Sequence, residues 1–238
     1  MKNYKFLLFD VDYTLLDFDE DMKIAFKETY YAAKFHQSIN FSEDILSTYE
    51  NHNTYWWDKF EKQECTKEEL YNNRFADFLA ETGLEYEPSD LNRLYFENLS
   101  KTGTPYKGAV EMMSILSKNH QCYIITNGNA VSQYRRIKNS GLGEYFKECF
   151  VSETVGVGKP HIRYFNHVFQ QIPGFDKSLG LVVGDLLTAD IQGAVNSGID
   201  SIWYNPQKLP IPQSPSPTYT VSDYSGILTL FEDCKCIK

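Results

Sequence analysis

Phe6-Leu-Leu-Phe-Asp10-Val-Asp12-Tyr-Thr14-Leu-Leu16 decides the fold. Four consecutive apolar residues read as a strand buried on both faces, the kind found in parallel sheets. The run ends in two carboxylates spaced i, i+2, followed by a threonine. Carboxylates at the tip of a buried strand are costly unless they are paired, bound to metal or catalytic. In open α/β sheets the carboxyl ends of the strands are also where ligands bind. An acidic site at a strand tip is therefore expected within the first dozen residues.

Further apolar runs ending in turn signals recur at Cys122–Ile125, Phe150–Val151, Leu181–Val183 and Ser201–Tyr204. Helix-length segments lie between or beside them: Val110–Lys118, Val131–Ser140, Ile162–Gln171 and Ala189–Ser197. Gly141 and Gly198 act as stops after the second and fourth of these. Strands alternating with helices predict an α/β core with a Rossmann-like, mostly parallel sheet. Residues 18–99 break the rhythm. They carry helical patterns such as Met22, Phe26, Thr29, Tyr30 and Ala33, then Leu70, Phe75, Phe78 and Leu79, with no convincing strand. The expected organisation is a core of residues 1–17 and 100–238 with an all-helical cap inserted at 18–99. Thr102-Gly103-Thr104-Pro105 is the return linker. Asn205–Pro217 holds five of the nine prolines and reads as a loop or extended arm.

Four sites fall at the ends of predicted strands. They are Asp10-Val-Asp12-Tyr-Thr14, Thr126-Asn127-Gly128, Gly158-Lys159-Pro160, and Gly184-Asp185 with Asp190 five residues on. Each has a structural explanation alone, as a helix cap, a turn, a solvated loop or a first-turn charge. Four in order on parallel strand tips favour a single site. Asp10, Asp185 and Asp190 make an oxygen-rich cluster suited to Mg²⁺. Thr126 and a main-chain N–H at Asn127 suit phosphoryl oxygens, and Lys159 supplies positive charge. Phosphate-monoester hydrolysis is among the slowest uncatalysed reactions, so a nucleophile, an acid and a charge clamp are all needed.

The formal charge of −9 argues against a nucleic-acid polymer as partner, because such partners need a basic footprint. It leaves room for a small phosphorylated substrate, since a metal ion and one lysine reverse the potential locally. Five scattered cysteines without a C-x-x-C pair point to a reducing compartment. Cys234-Lys-Cys236 reads as a solvated tail rather than a metal site. No stretch approaches the length of a membrane span, and Asp10 interrupts the apolar run too early for a signal peptide. A cytoplasmic protein without membrane contact is expected; the oligomeric state is not readable. His36, His52, His120 and His167 have no site-like spacing, and His161 reads as a surface or capping residue. Trp56 and Trp57 read as core or interface residues of the cap, with stacking of one of them or of Tyr55 on a planar substrate as the alternative.

The four motifs resemble those of the haloacid-dehalogenase-like hydrolase superfamily, and the helical insert resembles its small cap domain. Val151-Ser-Glu-Thr-Val-Gly-Val-Gly-Lys159-Pro and Asn196-Ser-Gly-Ile-Asp-Ser-Ile-Trp-Tyr-Asn205 are similar to its pyrimidine 5′-nucleotidase branch. The resemblance implies a Mg²⁺-dependent phosphatase for a small phosphate monoester, with a nucleoside 5′-monophosphate as the expected substrate. Asp10 would be the nucleophile that becomes an aspartyl phosphate. Asp12 would be acid and then base, with its main-chain carbonyl on the metal. Thr14 would support the loop, and Thr126, Asn127 and Lys159 would hold the phosphoryl group. Asp10 and Asp185 would be metal ligands, with Asp190 orienting the metal site. Tyr13, Leu186 and His161 depart from the common pattern. The alternatives are a phosphatase of another small metabolite such as phosphoglycolate or a sugar phosphate, a phosphosugar mutase, a dehalogenase, or a non-catalytic binding protein. A dehalogenase would need neither Asp12 nor Asp185, and a silent protein would be expected to have lost Asp10, Asp12 or Lys159.

Overall fold

The computed structural model describes residues 2–232; Cys234 and Cys236 lie outside them. The described chain forms two compact units, one of residues 2–18 and 103–232 and the other of residues 19–102.

The first unit is built on a six-stranded, all-parallel sheet. Its strands are β1 (Phe6–Phe9), β2 (Gln121–Thr126), β3 (Cys149–Val151), β4 (Gly180–Gly184), β5 (Asp200–Tyr204) and β6 (Tyr219–Val221), in the order β3-β2-β1-β4-β5-β6. This is the expected α/β Rossmann-like core. Alternate residues of the buried strands serve opposite faces. Leu7, Phe9, Ile124 and Val183 pack with Met112, Met113 and Ile227 on one side. Phe6, Leu8, Ile125 and Val182 pack with Tyr164, Phe165 and Val168 on the other. Helices cover both faces, which is why these strands are continuously apolar rather than alternating.

Register positions the site. Phe9 lies between Ile124 of β2 and Val183 of β4, so the tips of the three central strands finish together. Asp10 and Asp185 follow directly from β1 and β4, and Thr126 is the last residue of β2. The outgoing and returning chain run side by side, with Asp17 N–H donating to Thr104 O at 2.8 Å and Tyr106 N–H to Leu15 O at 2.9 Å.

Four helices account for the second unit: α1 (Phe18–Ala32), α2 (Glu43–Glu61), α3 (Lys67–Thr82) and α4 (Pro88–Leu99). Sequence signals mark their ends. Ser42 caps α2, Thr66 and Glu69 form a reciprocal capping box at α3, and Pro88 opens α4. Its core is aromatic. Phe26 stacks on Tyr49 at 4.1 Å between ring centroids, and Phe78 meets Phe26 edge-on at 5.3 Å. Arg74 is buried among Tyr71, Phe75, Tyr95 and Phe96 and donates to Asn53 Oδ1 and Asn92 Oδ1 at 2.8 and 2.7 Å. Trp56 Nε1 donates to Asp77 Oδ2 at 2.7 Å, so one of the paired tryptophans is tied to α3.

The remaining helices are α5 (Ala109–Leu116), α6 (Ala130–Asn139), α7 (Ser152–Val155), α8 (Ile162–Gln171), α9 (Gln192–Ser197) and α10 (Tyr224–Glu232). Three features differ from the sequence reading. The predicted helix Ala189–Ser197 is a wide π-type turn at Leu187–Ile191 followed by a short α9. The edge strand β6 and helix α10 were not expected, because a three-residue strand after a proline-rich loop carries too little pattern. No helix among the described residues is long and apolar enough to cross a membrane, and Cys65, Cys122 and Cys149 are free.

Candidate active site

Lys159 is the centre of the charged cluster. Its ammonium donates to Asp10 Oδ1 at 2.5 Å, to Asp190 Oδ1 at 2.6 Å and to the Ile125 carbonyl at 3.0 Å. Three acceptors satisfy its three donors, which is what permits a lysine to be buried here. Asn127 fixes the lysine's main chain: its Nδ2 donates to Lys159 O and its Oδ1 accepts from Lys159 N–H, both at 2.9 Å.

Asp190 reaches this point through the π-type turn. Its Oδ2 accepts from the Leu186 N–H at 3.1 Å, so both of its oxygens are engaged. The work at Leu186 is done by the main chain, which explains why an apolar side chain is tolerated there. Gly184 leaves the space: a Cβ on it would overlap the Asp190 carboxylate. Asp185 Oδ1 accepts from the Thr14 hydroxyl at 3.0 Å, and Trp203 Nε1 holds the Asp185 carbonyl at 2.8 Å. Thr14 is itself pinned by Tyr224, whose hydroxyl donates to Thr14 O at 2.8 Å. Tyr13, in the same loop, adopts a left-handed conformation with φ 63° and meets Phe18 edge-on at 5.7 Å.

Oxygens of Asp10, Asp185 and Asp190 all lie within 4.8 Å of one another. Hard carboxylate oxygens at this spacing fit a Mg²⁺ ion, which takes one or two carboxylates and keeps waters. Oδ2 of Asp10 and Oδ2 of Asp185 accept no hydrogen bond among the described residues, so each has a whole oxygen available for coordination, whereas both oxygens of Asp190 already accept one hydrogen bond.

The electrostatics follow from burial. Desolvation pushes the Asp10 carboxyl up to about 7 against the pull of Lys159, with Asp190 and Asp12 adding to the rise. Burial likewise holds Asp185 well above the usual carboxylate range, reinforced by the charges of Asp10 and Asp190. Burial alone would lower Lys159, but Asp10 and Asp190 more than reverse it, and the lysine stays charged. A cluster of three carboxylates facing one ammonium has room for more positive charge.

Thr126 is buried at the tip of β2. Its hydroxyl oxygen accepts from Gly128 N–H at 3.1 Å and from Gln133 Nε2 at 3.0 Å, which leaves its own proton to donate. Its N–H is held by Tyr164 Oη at 3.1 Å, and that hydroxyl donates onward to Phe150 O at 2.6 Å. Asp12 stands apart from the acidic cluster. Gln133 Nε2 donates to its Oδ2 at 2.6 Å and Arg136 to its Oδ1 at 2.7 Å. Neither partner was foreseen. They lie 121 and 124 residues from Asp12. The only signal in the sequence was that two polar residues, spaced i, i+3, sit on one face of the helix after Thr126-Asn127-Gly128. His161 caps α8, with Nδ1 accepting from Arg163 N–H at 3.1 Å, and does not join the cluster.

The model of the haloacid dehalogenase-like hydrolases matches residues 7–204, which includes every strand-tip motif described above. The chain belongs to this family. The family assignment is reinforced by full-length relatives. The HAD-hydrolase YfnB of Bacillus subtilis is 38% identical over 93% of this chain and 92% of its own. The pyrimidine 5′-nucleotidase PynA of Streptococcus pneumoniae is 37% identical over 94% of each chain. The pyrimidine 5′-nucleotidase YjjG of Escherichia coli is 31% identical over 92% of this chain and 94% of its own. A crystal structure of YfnB bound to magnesium superposes with a TM-score of 0.89, at 36% identity, covering 96% of this chain and 99% of that one. This HAD-family chain is a hydrolase of the phosphatase type.

Proposed function

We propose that the protein is a Mg²⁺-dependent phosphatase of a small phosphate monoester, with nucleoside 5′-monophosphates, pyrimidine ones first, as the substrate class. The observation that carries the reading is the separation of two acids. Asp10 is buried against Lys159 in the acidic cluster, while Asp12 stands two residues on, outside it and partly exposed. A nucleophile and a proton carrier need such different surroundings. The names and full-length similarity of PynA and YjjG support a nucleotide as substrate.

In this reading an Asp10 oxygen attacks phosphorus and the bond to the leaving oxygen breaks. Asp12 gives that oxygen a proton. Asp12 then takes a proton from water, whose oxygen attacks the aspartyl phosphate and returns the electron pair to Asp10. The Thr126 hydroxyl and the Asn127 N–H hold phosphoryl oxygens, and Lys159 balances their charge beside Asp10. Asp10, Asp185 and the Asp12 carbonyl would hold magnesium, with Asp190 orienting the site through Lys159 and Leu186. Magnesium, when bound, neutralises phosphoryl charge and so lets one anion approach another. Dehalogenation would call on neither Asp185 nor Asp12.

The test is phosphate release from a panel of nucleoside monophosphates, sugar phosphates and phosphoglycolate, with Mg²⁺ or with EDTA. Mg²⁺-dependent release concentrated on UMP, dUMP or dTMP is expected. Release from sugar phosphates alone would discard the nucleotide; release undiminished by EDTA would discard the metal.

A further inference from the structure

Asp12 is gripped from a single helix face. Gln133 and Arg136 are spaced i, i+3 on α6, and between them they engage both oxygens of its carboxylate. Each of the two is only 1% exposed, whereas the Asp12 side chain is 23% exposed. The two donors are also tied to each other, because Arg136 Nη1 donates to Gln133 Oε1 at 3.2 Å. The same Gln133 amide nitrogen reaches Thr126 Oγ1 at 3.0 Å. Thr126, Gln133, Arg136 and Asp12 thus form one connected network that is sealed on the protein side and opens at Asp12.

Two details show how closely this grip is accommodated. Gly128 is the third residue of the Thr126-Asn127-Gly128 turn. A Cβ there would lie 2.6 Å from Gln133 Cγ and closer still to its amide nitrogen, so glycine leaves the channel through which Gln133 reaches Asp12. The Phe18 ring lies 5.2 Å from the Arg136 guanidinium carbon, a cation–π distance. A bond that merely tied α6 to the sheet would have no need to end on the partly exposed carboxylate beside the nucleophile.

We propose that Gln133 and Arg136 are positioning residues that fix the plane and aim of the Asp12 carboxylate for both of its proton transfers. The proposal rests on the phosphatase reading above. Each carboxylate oxygen has two lone-pair directions, and each is given one hydrogen bond here, so the remaining direction is free for the transferred proton. With the carboxylate free to rotate, the proton no longer points at the leaving oxygen in the first step, nor does the base point at water in the second.

The two steps can be read separately. p-Nitrophenyl phosphate expels a phenolate that needs no proton, whereas a nucleoside 5′-monophosphate expels an alkoxide that does. Rapid mixing of wild type, Gln133→Leu, Arg136→Met, Arg136→Lys and Asp12→Asn with each substrate tests the clamp. On p-nitrophenyl phosphate, Gln133→Leu, Arg136→Met and Asp12→Asn are all expected to release close to one equivalent of nitrophenolate quickly and then turn over slowly. On the nucleotide they are expected to show no burst, with kcat lower by roughly 10- to 10²-fold, less than the roughly 10²–10⁴-fold that general acid–base catalysis as a whole supplies, and KM little changed. Arg136→Lys is expected to recover part of that loss.

Wild-type turnover of both substrates by Gln133→Leu would overturn the proposal. So would equal loss on both substrates with the burst amplitude falling alongside the folded fraction, which is the signature of a structural tie. If Asp12→Asn itself behaves as wild type, the acid–base reading of Asp12 fails first and the clamp falls with it.

Discussion

Asn127 and Lys159 exchange a pair of main-chain-to-amide hydrogen bonds across 32 residues of sequence, both 2.9 Å long. The exchange fixes the loop after β2 to the loop before α8, and with it the direction in which the Lys159 ammonium enters the cluster. Asn127→Ala removes both bonds. The expected loss of stability is about 1–3 kcal/mol at ~0.5–1.5 kcal/mol per bond. The expected fall in kcat/KM reaches ~10²-fold, since small displacements of a charge clamp are costly. Urea unfolding and phosphate release check the two separately.

Removing Asp10 and removing Lys159 are predicted to have different consequences. In Asp10→Asn the lysine retains Asp190 at 2.6 Å, so the fold survives while phosphate release falls to background. In Lys159→Met, Asp10 and Asp190 are left buried without their shared cation. Breaking a buried pair from one side costs about 3–5 kcal/mol, so this variant is expected to be the less stable of the two. Thermal melts beside activity assays distinguish them. Near-wild-type activity in Asp10→Asn would refute the nucleophile.

The same cluster makes stability depend on pH and on magnesium. Burial raises Asp10 to about 7 and lifts Asp185 in the same direction. Between the ordinary carboxylate range near 4 and these raised values, the folded protein binds more protons than the unfolded chain. Without metal, stability should therefore decline as pH rises from about 4 to 7. A cation competing for the same oxygens binds more tightly over that interval and releases protons as it does. Melting temperatures in EDTA are expected to fall with pH, and those in excess Mg²⁺ to fall less or rise. A metal-free melting curve that is flat with pH, with no shift on adding Mg²⁺, would contradict the assignment.

What was legible in the sequence is what neighbouring residues encode together. Phe6–Phe9 followed by Asp10 carries strand, burial and site within a few positions, and Ile162–Gln171 is a helix with the bounds its pattern suggests. Contacts made through space were hidden. Arg136 and Gln133 reveal their role only when the sheet brings β1 and α6 together, because nothing near them in the chain is acidic enough to suggest a partner. The π-type turn at Leu187–Ile191 was read as ordinary helix for a related reason. Its shape lets the Leu186 N–H meet Asp190 Oδ2, a bond that no periodicity announces. Gly158-Lys159-Pro160 was legible as a motif but was expected at a strand end; it follows α7 rather than the tip of β3, and the hydrogen bonds by which Asn127 holds it were not legible.

His161, one of the departures from the pattern the chain resembles, has a structural duty at the start of α8. It is the N-cap of α8, its extended backbone followed by helix, with the ring nitrogen accepting from Arg163 N–H. A carboxylate would accept that hydrogen bond as well and would also interact favourably with the positive end of the helix dipole. His161→Asp is therefore expected to gain up to ~1 kcal/mol of stability. His161→Ala, which leaves the N–H to water, should lose about 0.5–2 kcal/mol. The ring is exposed and bonds only within its own turn, so kcat should stay unchanged in both variants. Equilibrium unfolding provides the check, and a loss of turnover in His161→Ala at full folding would give this residue a place in the chemistry instead.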